Sequence, residues 1–242
     1  MEKITSLENG KVKYWTKLKD KKYRDEEGLF IVEGDHLVLE AYKNNVIKEV
    51  ILQDGIDNNL THPVYYVTKD ILKKISTMES FPTVMAVCYK KEEQTIGNKL
   101  LLLDNLQDPG NLGAIIRSAV AFNFDTIVLG DGCVDLYNDK VIRATEGMIF
   151  NISIVKRNLH ELIGALQNDN YTIYGTDLNG INVKEIKPSD KFGVIIGNEG
   201  SGIDESLLNM CDKNIYIPIN ETCESLNASV AASIIMYELG DK

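Results

Sequence analysis

The run Leu100-Leu101-Leu102-Leu103 constrains this chain more than any other feature. Four consecutive large apolar residues, bounded by Lys99 and Asp104, leave no polar face for water. Such a run reads as a strand buried on both faces, the place of an inner strand in a parallel sheet covered by helices. Asp104 to Asn111 follows as a turn containing Pro109-Gly110. Leu112, Ile115, Ile116, Ala119 and Val120 then recur at helical spacing up to Phe122. Thr126-Ile127-Val128-Leu129 supplies the next strand, and β-α-β order predicts parallel pairing. Further strands are expected at 172–175, 192–196 and 215–217. Helices near 139–147, 158–168, 203–210 and 226–239 separate them.

The chain before this run has a different texture. A basic helical segment over 11–24 leads to the strand Leu29-Phe30-Ile31-Val32 and a helix near 35–44. Val50-Ile51-Leu52, Val64-Tyr65-Tyr66-Val67 and Val84-Met85-Ala86-Val87 read as strands, with a short helix over 70–76 opened by Thr68. This alternation predicts a small α/β domain. The polar stretch 90–98 reads as a linker, so the expected domains are 1–94 and 95–242.

At 242 residues and 44% apolar content, the chain can build one large core or two modest ones. No run of about 18 apolar residues suggests a membrane span, and the N-terminal residues show no signal-peptide pattern, so cytoplasmic residence is the expectation. Cys88, Cys133, Cys211 and Cys223 form no C-x-x-C pair, and His36, His62 and His160 are scattered, so no metal site is expected.

The net charge of −10 excludes a protein that coats nucleic acid indiscriminately. The acid is concentrated in 95–242, net −9, against net −1 for 1–94. Within the first part, 11–24 carries seven cations and one acid, interleaved with Tyr14, Trp15 and Tyr23. Cations beside aromatics suit phosphate contact with base stacking and point to RNA, with Lys19, Lys21, Lys22 and Arg24 as candidate contacts. The alternative is a solvated helix face whose aromatics pack inward.

Three polar loops, each placed after an apolar strand, suggest one composite site. In 104–117, Asn111 is placed as a helix N-cap, and Arg117 stands in an otherwise apolar helix where a guanidinium could grip phosphate. Gly197-Asn198-Glu199-Gly200-Ser201-Gly202 has the glycines of a ligand loop. It lacks the dinucleotide fingerprint and the Walker lysine, and Glu199 would repel phosphate, so a nucleotide-dependent oxidoreductase is excluded. Glu224-Ser225-Leu226-Asn227 runs into a helix of small residues, with Ser225 as a possible cap. Each loop alone could be a turn or cap.

Together the three segments closely resemble the motifs of the SpoU/TrmH family of RNA 2′-O-ribose methyltransferases, within the SPOUT superfamily. The first is Asn111-Leu112-Gly113-Ala114-Ile115-Ile116-Arg117. The second is Ile196 to Gly202, and the third runs from Ile217-Pro218-Ile219 through Glu224-Ser225-Leu226-Asn227 to Tyr237-Glu238. More loosely, Lys21 to Arg24 and Phe30 to Gly34 resemble the family's small substrate-binding domain, similar to a ribosomal-protein-like α/β fold. The resemblance implies a C-terminal parallel-sheet domain closed by a trefoil knot, a homodimer, and S-adenosylmethionine as cofactor. It implies cofactor contacts at Gly197, Ile217 and Leu226, with Thr176 and Asp177 weaker candidates. Arg117, Asn111, Glu199, Ser225 and Asn227 would carry catalysis. In family members the counterpart of Arg117 deprotonates the ribose hydroxyl or assists in this; because arginine stays protonated, alignment of hydroxyl and phosphate is the preferred role. Glu221 stands where the family usually has glycine, and Ala228 where it often has valine. The function implied is methylation of a 2′-hydroxyl, in 23S-type rRNA ahead of tRNA, against the alternative of a non-catalytic RNA-binding protein.

Overall fold

The computed structural model describes residues 2–57 and 62–240. In chain order the elements are β1 (Glu2–Ile4), α1 (Gly10–Lys17), α2 (Lys21–Glu27), β2 (Leu29–Glu33), α3 (Asp35–Lys43), β3 (Ile47–Gln53), β4 (Val64–Val67), α4 (Lys69–Ile75) and β5 (Val84–Tyr89). There follow β6 (Lys99–Leu103), α5 (Pro109–Ala121), β7 (Thr126–Leu129), α6 (Asp139–Ala144), β8 (Ser153–Lys156), α7 (Leu159–Asn168), β9 (Thr172–Asn182), β10 (Phe192–Ile196), α8 (Glu205–Leu208), β11 (Lys213–Tyr216) and α9 (Ala228–Leu239). They fold into two compact units.

The first unit holds the chain up to Glu92 together with Asp135–Phe150. Its mixed sheet has the order β1-β4-β3-β5-β2, with β5 antiparallel to both of its neighbours. Leu29, Ile51, Met85 and Val87 share a core with Val12, Trp15 and Leu18 of the α1 region and Ile71, Leu72 and Ile75 of α4. Phe30, one residue along β2 and so on the opposite face, packs against Tyr137 at 4.7 Å and Phe150 at 6.3 Å between ring centroids. That aromatic contact, with the Arg24–Asp135 ion pair at 2.7 Å, explains why 135–150 packs with the first unit although it interrupts the second. A division at a single boundary near residue 94 misses this excursion, because the excursion leaves no linker-like composition behind.

The second unit holds Glu93–Val134 and the chain from Asn151 onward. Its six strands are all parallel in the order β11-β9-β10-β6-β7-β8. β6 is an inner strand, and Leu100 to Leu103 are fully buried. β1 and β8 are strands that alternation and length did not single out. β9 is far longer than the four residues expected. Its pairing with β11 shifts register between Asn214 and Ile215, so 176–180 bulges out of the ladder. Gly180 sits where a Cβ would come 2.5 Å from the Asn214 backbone, which lets the bulge close on β11.

The basic segment 11–24 is two helices and not one. The Asp20 side chain caps α2 by accepting from Lys22 N at 3.1 Å, which breaks the run. The helix expected over 203–210 is a single turn, Glu205–Leu208, opened by Asp204.

Candidate active site

β6 and β10 are neighbours in the parallel sheet, so the loops leaving their C-terminal ends must meet. They do so through an interlocked set of hydrogen bonds. Asn198 Nδ2 donates to Asn105 O at 2.8 Å, and Asp204 N donates to Asp104 Oδ2 at 2.9 Å. The second loop closes on itself: Asn198 and Gly202 exchange backbone hydrogen bonds at 2.9 and 3.0 Å. At Gly197 a Cβ would lie 2.2 Å from the Gly202 carbonyl carbon, so only glycine permits this closure.

Glu199 reaches across to the first loop. Its Oε1 accepts from Asn111 Nδ2 at 2.9 Å and Asp108 N at 3.2 Å, and its Oε2 from Gln107 N at 3.4 Å. Partial burial would push its carboxyl pKa up, but the Asn111 amide and the backbone donors outweigh this and hold it below the usual glutamate range. It is an ionised, fully engaged carboxylate, suited to fixing geometry and not to removing a proton. Because Asn111 Nδ2 is committed to Glu199, its Oδ1 must accept, and it takes Asn227 Nδ2 at 3.0 Å. Asn227 Oδ1 then faces the N-terminus of α9, where Ser229 N at 2.9 Å and Val230 N at 3.4 Å donate to it. One chain of amides thus joins all three loops, and each amide's orientation is set by the next.

Two capping assignments are corrected here. Asp108 caps α5, accepting from Asn111 N at 2.7 Å, with Pro109 in the first turn. Asn111 lies inside that turn and is 8% exposed, so its side chain is free for Glu199 and Asn227. Asn227, and not Ser225, caps α9. Asp108 was within reach of sequence reasoning, because Asp followed by Pro is an N-cap and first-turn signature. Asn105, at φ 51°, and Asn198 carried no comparable signal.

Beside this junction lies a cavity of about 390 Å³. Its wall includes Thr176, Gly197, Ile217 and Leu226, together with Asp177, Glu199 and Ser225. The bulge of β9 supplies Thr176, whose hydroxyl donates to Ile195 O at 3.0 Å. Arg117 is exposed on α5 and lies outside the cavity wall. It makes no hydrogen bond or ion pair with the described residues. Helix geometry sets it about 9 Å along the axis from Asn111. α5 and α9 are tied together by a Ser118–Ser233 hydroxyl contact at 2.7 Å.

The candidate RNA contacts separate. Arg24 is 6% exposed, and its guanidinium donates to Leu18 O at 3.0 Å and Lys19 O at 2.5 Å, and pairs with Asp135 at 2.7 Å. It is a structural residue, a correction to its place among RNA contacts. Lys19 Nζ is likewise engaged, donating to Lys74 O at 2.8 Å and Ser76 O at 2.9 Å at the C-terminal end of α4. Trp15 is fully buried and donates Nε1 to the buried Glu49 carboxylate at 2.6 Å. Lys21 and Lys22 remain exposed, paired along α2 with Asp25 and Glu26. The inward packing of the aromatics is what the structure adopts for Trp15. Among the described residues no cluster of three or more His, Cys, Asp or Glu is arranged to hold a metal, and no helix is long and apolar enough to cross a membrane.

Comparison with known proteins bears directly on this geometry. Residues 98–237 match the SpoU rRNA Methylase family, and residues 9–86 match the MRM3-like substrate binding domain. The chain is 41% identical to the 23S rRNA (guanosine(2553)-2′-O)-methyltransferase RlmP of Bacillus subtilis strain 168, over 99% of each protein. It is similar in structure to an AdoMet-bound rRNA methyltransferase from Sinorhizobium meliloti, with a TM-score of 0.86, 27% identity, and coverage of 98% and 96% of the two chains. A crystal structure of an RNA 2′-O ribose methyltransferase is similar at a TM-score of 0.83 and 25% identity, covering 98% and 97%. With both parts matched in order and one relative 41% identical along its full length, the chain belongs to the SpoU/TrmH family of S-adenosylmethionine-dependent RNA 2′-O-ribose methyltransferases.

Proposed function

We propose that this enzyme methylates a single ribose 2′-hydroxyl of 23S rRNA, and that the guanosine modified by the Bacillus subtilis relative is the first position to test. The observation that carries the reading is the convergence of all three loops: Glu199, Asn111 and Asn227 in one hydrogen-bonded chain beside a cavity walled by Thr176, Gly197, Ile217 and Leu226. That cavity fits S-adenosylmethionine in kind. Ile196, Ile217, Ile219 and Leu226 offer apolar walls for a purine, and its volume of about 390 Å³ lies in the range of small-molecule sites. When bound, the cofactor supplies an electrophilic methyl group on a sulfonium.

The chain's own residues then divide the work. Gly197, Ile217 and Leu226 hold the cofactor, with Thr176 bracing the bulge at its side. Glu199, Asn111 and Asn227 hold the three loops in register, acting through position and not as bases. Arg117, with no partner among the described residues, meets the ribose hydroxyl and a neighbouring phosphate and aligns the attacking oxygen; the proton leaves to that phosphate or to water. Ser225 lines the cavity with its hydroxyl free of any described partner and can bond to substrate. The unit containing 9–86 serves as the RNA-binding domain, with Lys21 and Lys22 as its outward cations. Further parts of the reading are a homodimer, a cytoplasmic enzyme, and a trefoil knot in which the C-terminal segment is threaded through a loop.

Arg117→Ala tests this. Methylation mapped on 23S rRNA should fall by about a hundredfold or more, while calorimetric affinity for S-adenosylmethionine stays within a few-fold. Full activity in that variant would remove Arg117 from the reaction. Mapping ribose methylation on rRNA and tRNA, with and without the protein, names the target; a mark confined to tRNA would overturn the rRNA assignment.

A further inference from the structure

The cavity beside the three loops has an uneven charge. Among the described residues on its wall there are three carboxylates, Asp177, Glu199 and Glu224, and no Lys, Arg or His. Glu199 is consumed by Asn111, Asp108 and Gln107. The other two are not. Among the described residues Asp177 accepts only a long bond from Asn179 N, at 3.3 Å, within the bulge of β9. Glu224 makes no hydrogen bond or ion pair with the described residues and stands on the segment between β11 and α9. The two carboxylates come from separate elements, a bulged strand and the loop before the last helix, and both line one cavity. The bulge that carries Asp177 is itself built in: the register shift at Asn214/Ile215, the Thr176–Ile195 hydrogen bond and the close approach of Gly180 to β11 fix it in place.

Resting on the cofactor reading above, the charge has a consequence for turnover. In the transfer the 2′-oxygen forms the new O–C bond as the S–C bond breaks. The bonding pair remains on sulfur, the hydroxyl proton leaves to phosphate or water, and the ligand in the cavity loses one positive charge. A cavity lined by unpaired carboxylates interacts differently with the two states. We propose that Asp177 and Glu224 make this cavity selective for the cationic sulfonium over the neutral thioether product, so that methyl transfer itself loosens the spent cofactor. At several ångströms in a partly solvated cleft, the two carboxylates together change the affinity of a unit charge on the order of tenfold.

Calorimetric titration of the full-length protein with S-adenosylmethionine, S-adenosylhomocysteine and sinefungin tests this, the last carrying an ammonium where the sulfonium methyl stands. The wild type should bind the two cationic ligands on the order of tenfold more tightly than the thioether, with the ratio shrinking at high salt. Asp177→Asn and Glu224→Gln should each weaken the cationic ligands and leave S-adenosylhomocysteine unchanged, and the double variant should bring the ratio near one. Retained thioether affinity also shows that the variants are folded. Equal losses for all three ligands would overturn the proposal, because the carboxylates would then face the ligand's amino-acid ammonium, which all three share. A wild-type ratio at or below one would overturn it too. Binding of none of the ligands by the wild type would instead overturn the cofactor reading on which it rests.

Discussion

Two arginines show how little a residue type means without its surroundings. Arg24 and Arg117 each stand in or near helices, and both were candidates for phosphate contact. Arg24 is buried and fixed by two carbonyls and Asp135, whereas Arg117 is exposed with no described partner. Removing one member of a buried ion pair leaves the other charge stranded, at a cost of about 3 kcal/mol or more. Arg24→Ala should therefore lower the urea midpoint substantially while S-adenosylmethionine affinity of the folded protein is kept. Lys21→Gln should leave the midpoint nearly unchanged, since its pair with Asp25 is exposed. An unshifted midpoint for Arg24→Ala would return that residue to the RNA-binding surface. The difference between the arginines is a matter of burial, and no local pattern in 11–24 announces it, because Asp135 is more than a hundred residues away.

At the scale of elements, the strands that form the sheet around β6 are short continuous apolar runs, and such runs are visible in the sequence. The caps were less so. Asn227 has two tasks: its Oδ1 closes the N-terminus of α9 and its Nδ2 holds Asn111. These can be separated. Asn227→Ala loses both and should cost about 1–2 kcal/mol by urea unfolding. Asn227→Asp keeps an acceptor for the helix and, at a helix N-terminus, a favourable charge. It cannot donate to Asn111 Oδ1, so stability should survive while methylation falls. An aspartate variant as unstable as the alanine one would show that the amide chain, and not the cap, holds α9 in place.

For the molecule as a whole, the puzzle is an acidic chain, net −10, in a family that acts on RNA. With Lys19 and Arg24 engaged internally, few cations of the 11–24 segment remain for phosphate. RNA affinity should therefore show a shallow salt dependence. The double variant Lys21→Gln, Lys22→Gln should reduce the slope of log affinity against log salt by about 1.4 to 1.8. An unchanged slope would move the docking surface away from α2.

The sequence by itself determined the α/β class, the parallel sheet around Leu100–Leu103, the three polar loops and, through their order, the family. Each of these is a local pattern or a spacing along the chain. Tertiary structure alone decided which polar groups meet. Asn111 finds Glu199 across 88 residues and Asn227 across 116. Residues 135–150 join the first unit through Phe30, and a bulge in β9 brings Asp177 into the cavity wall. Such contacts depend on strand order and register, and they arise only when distant segments are packed side by side.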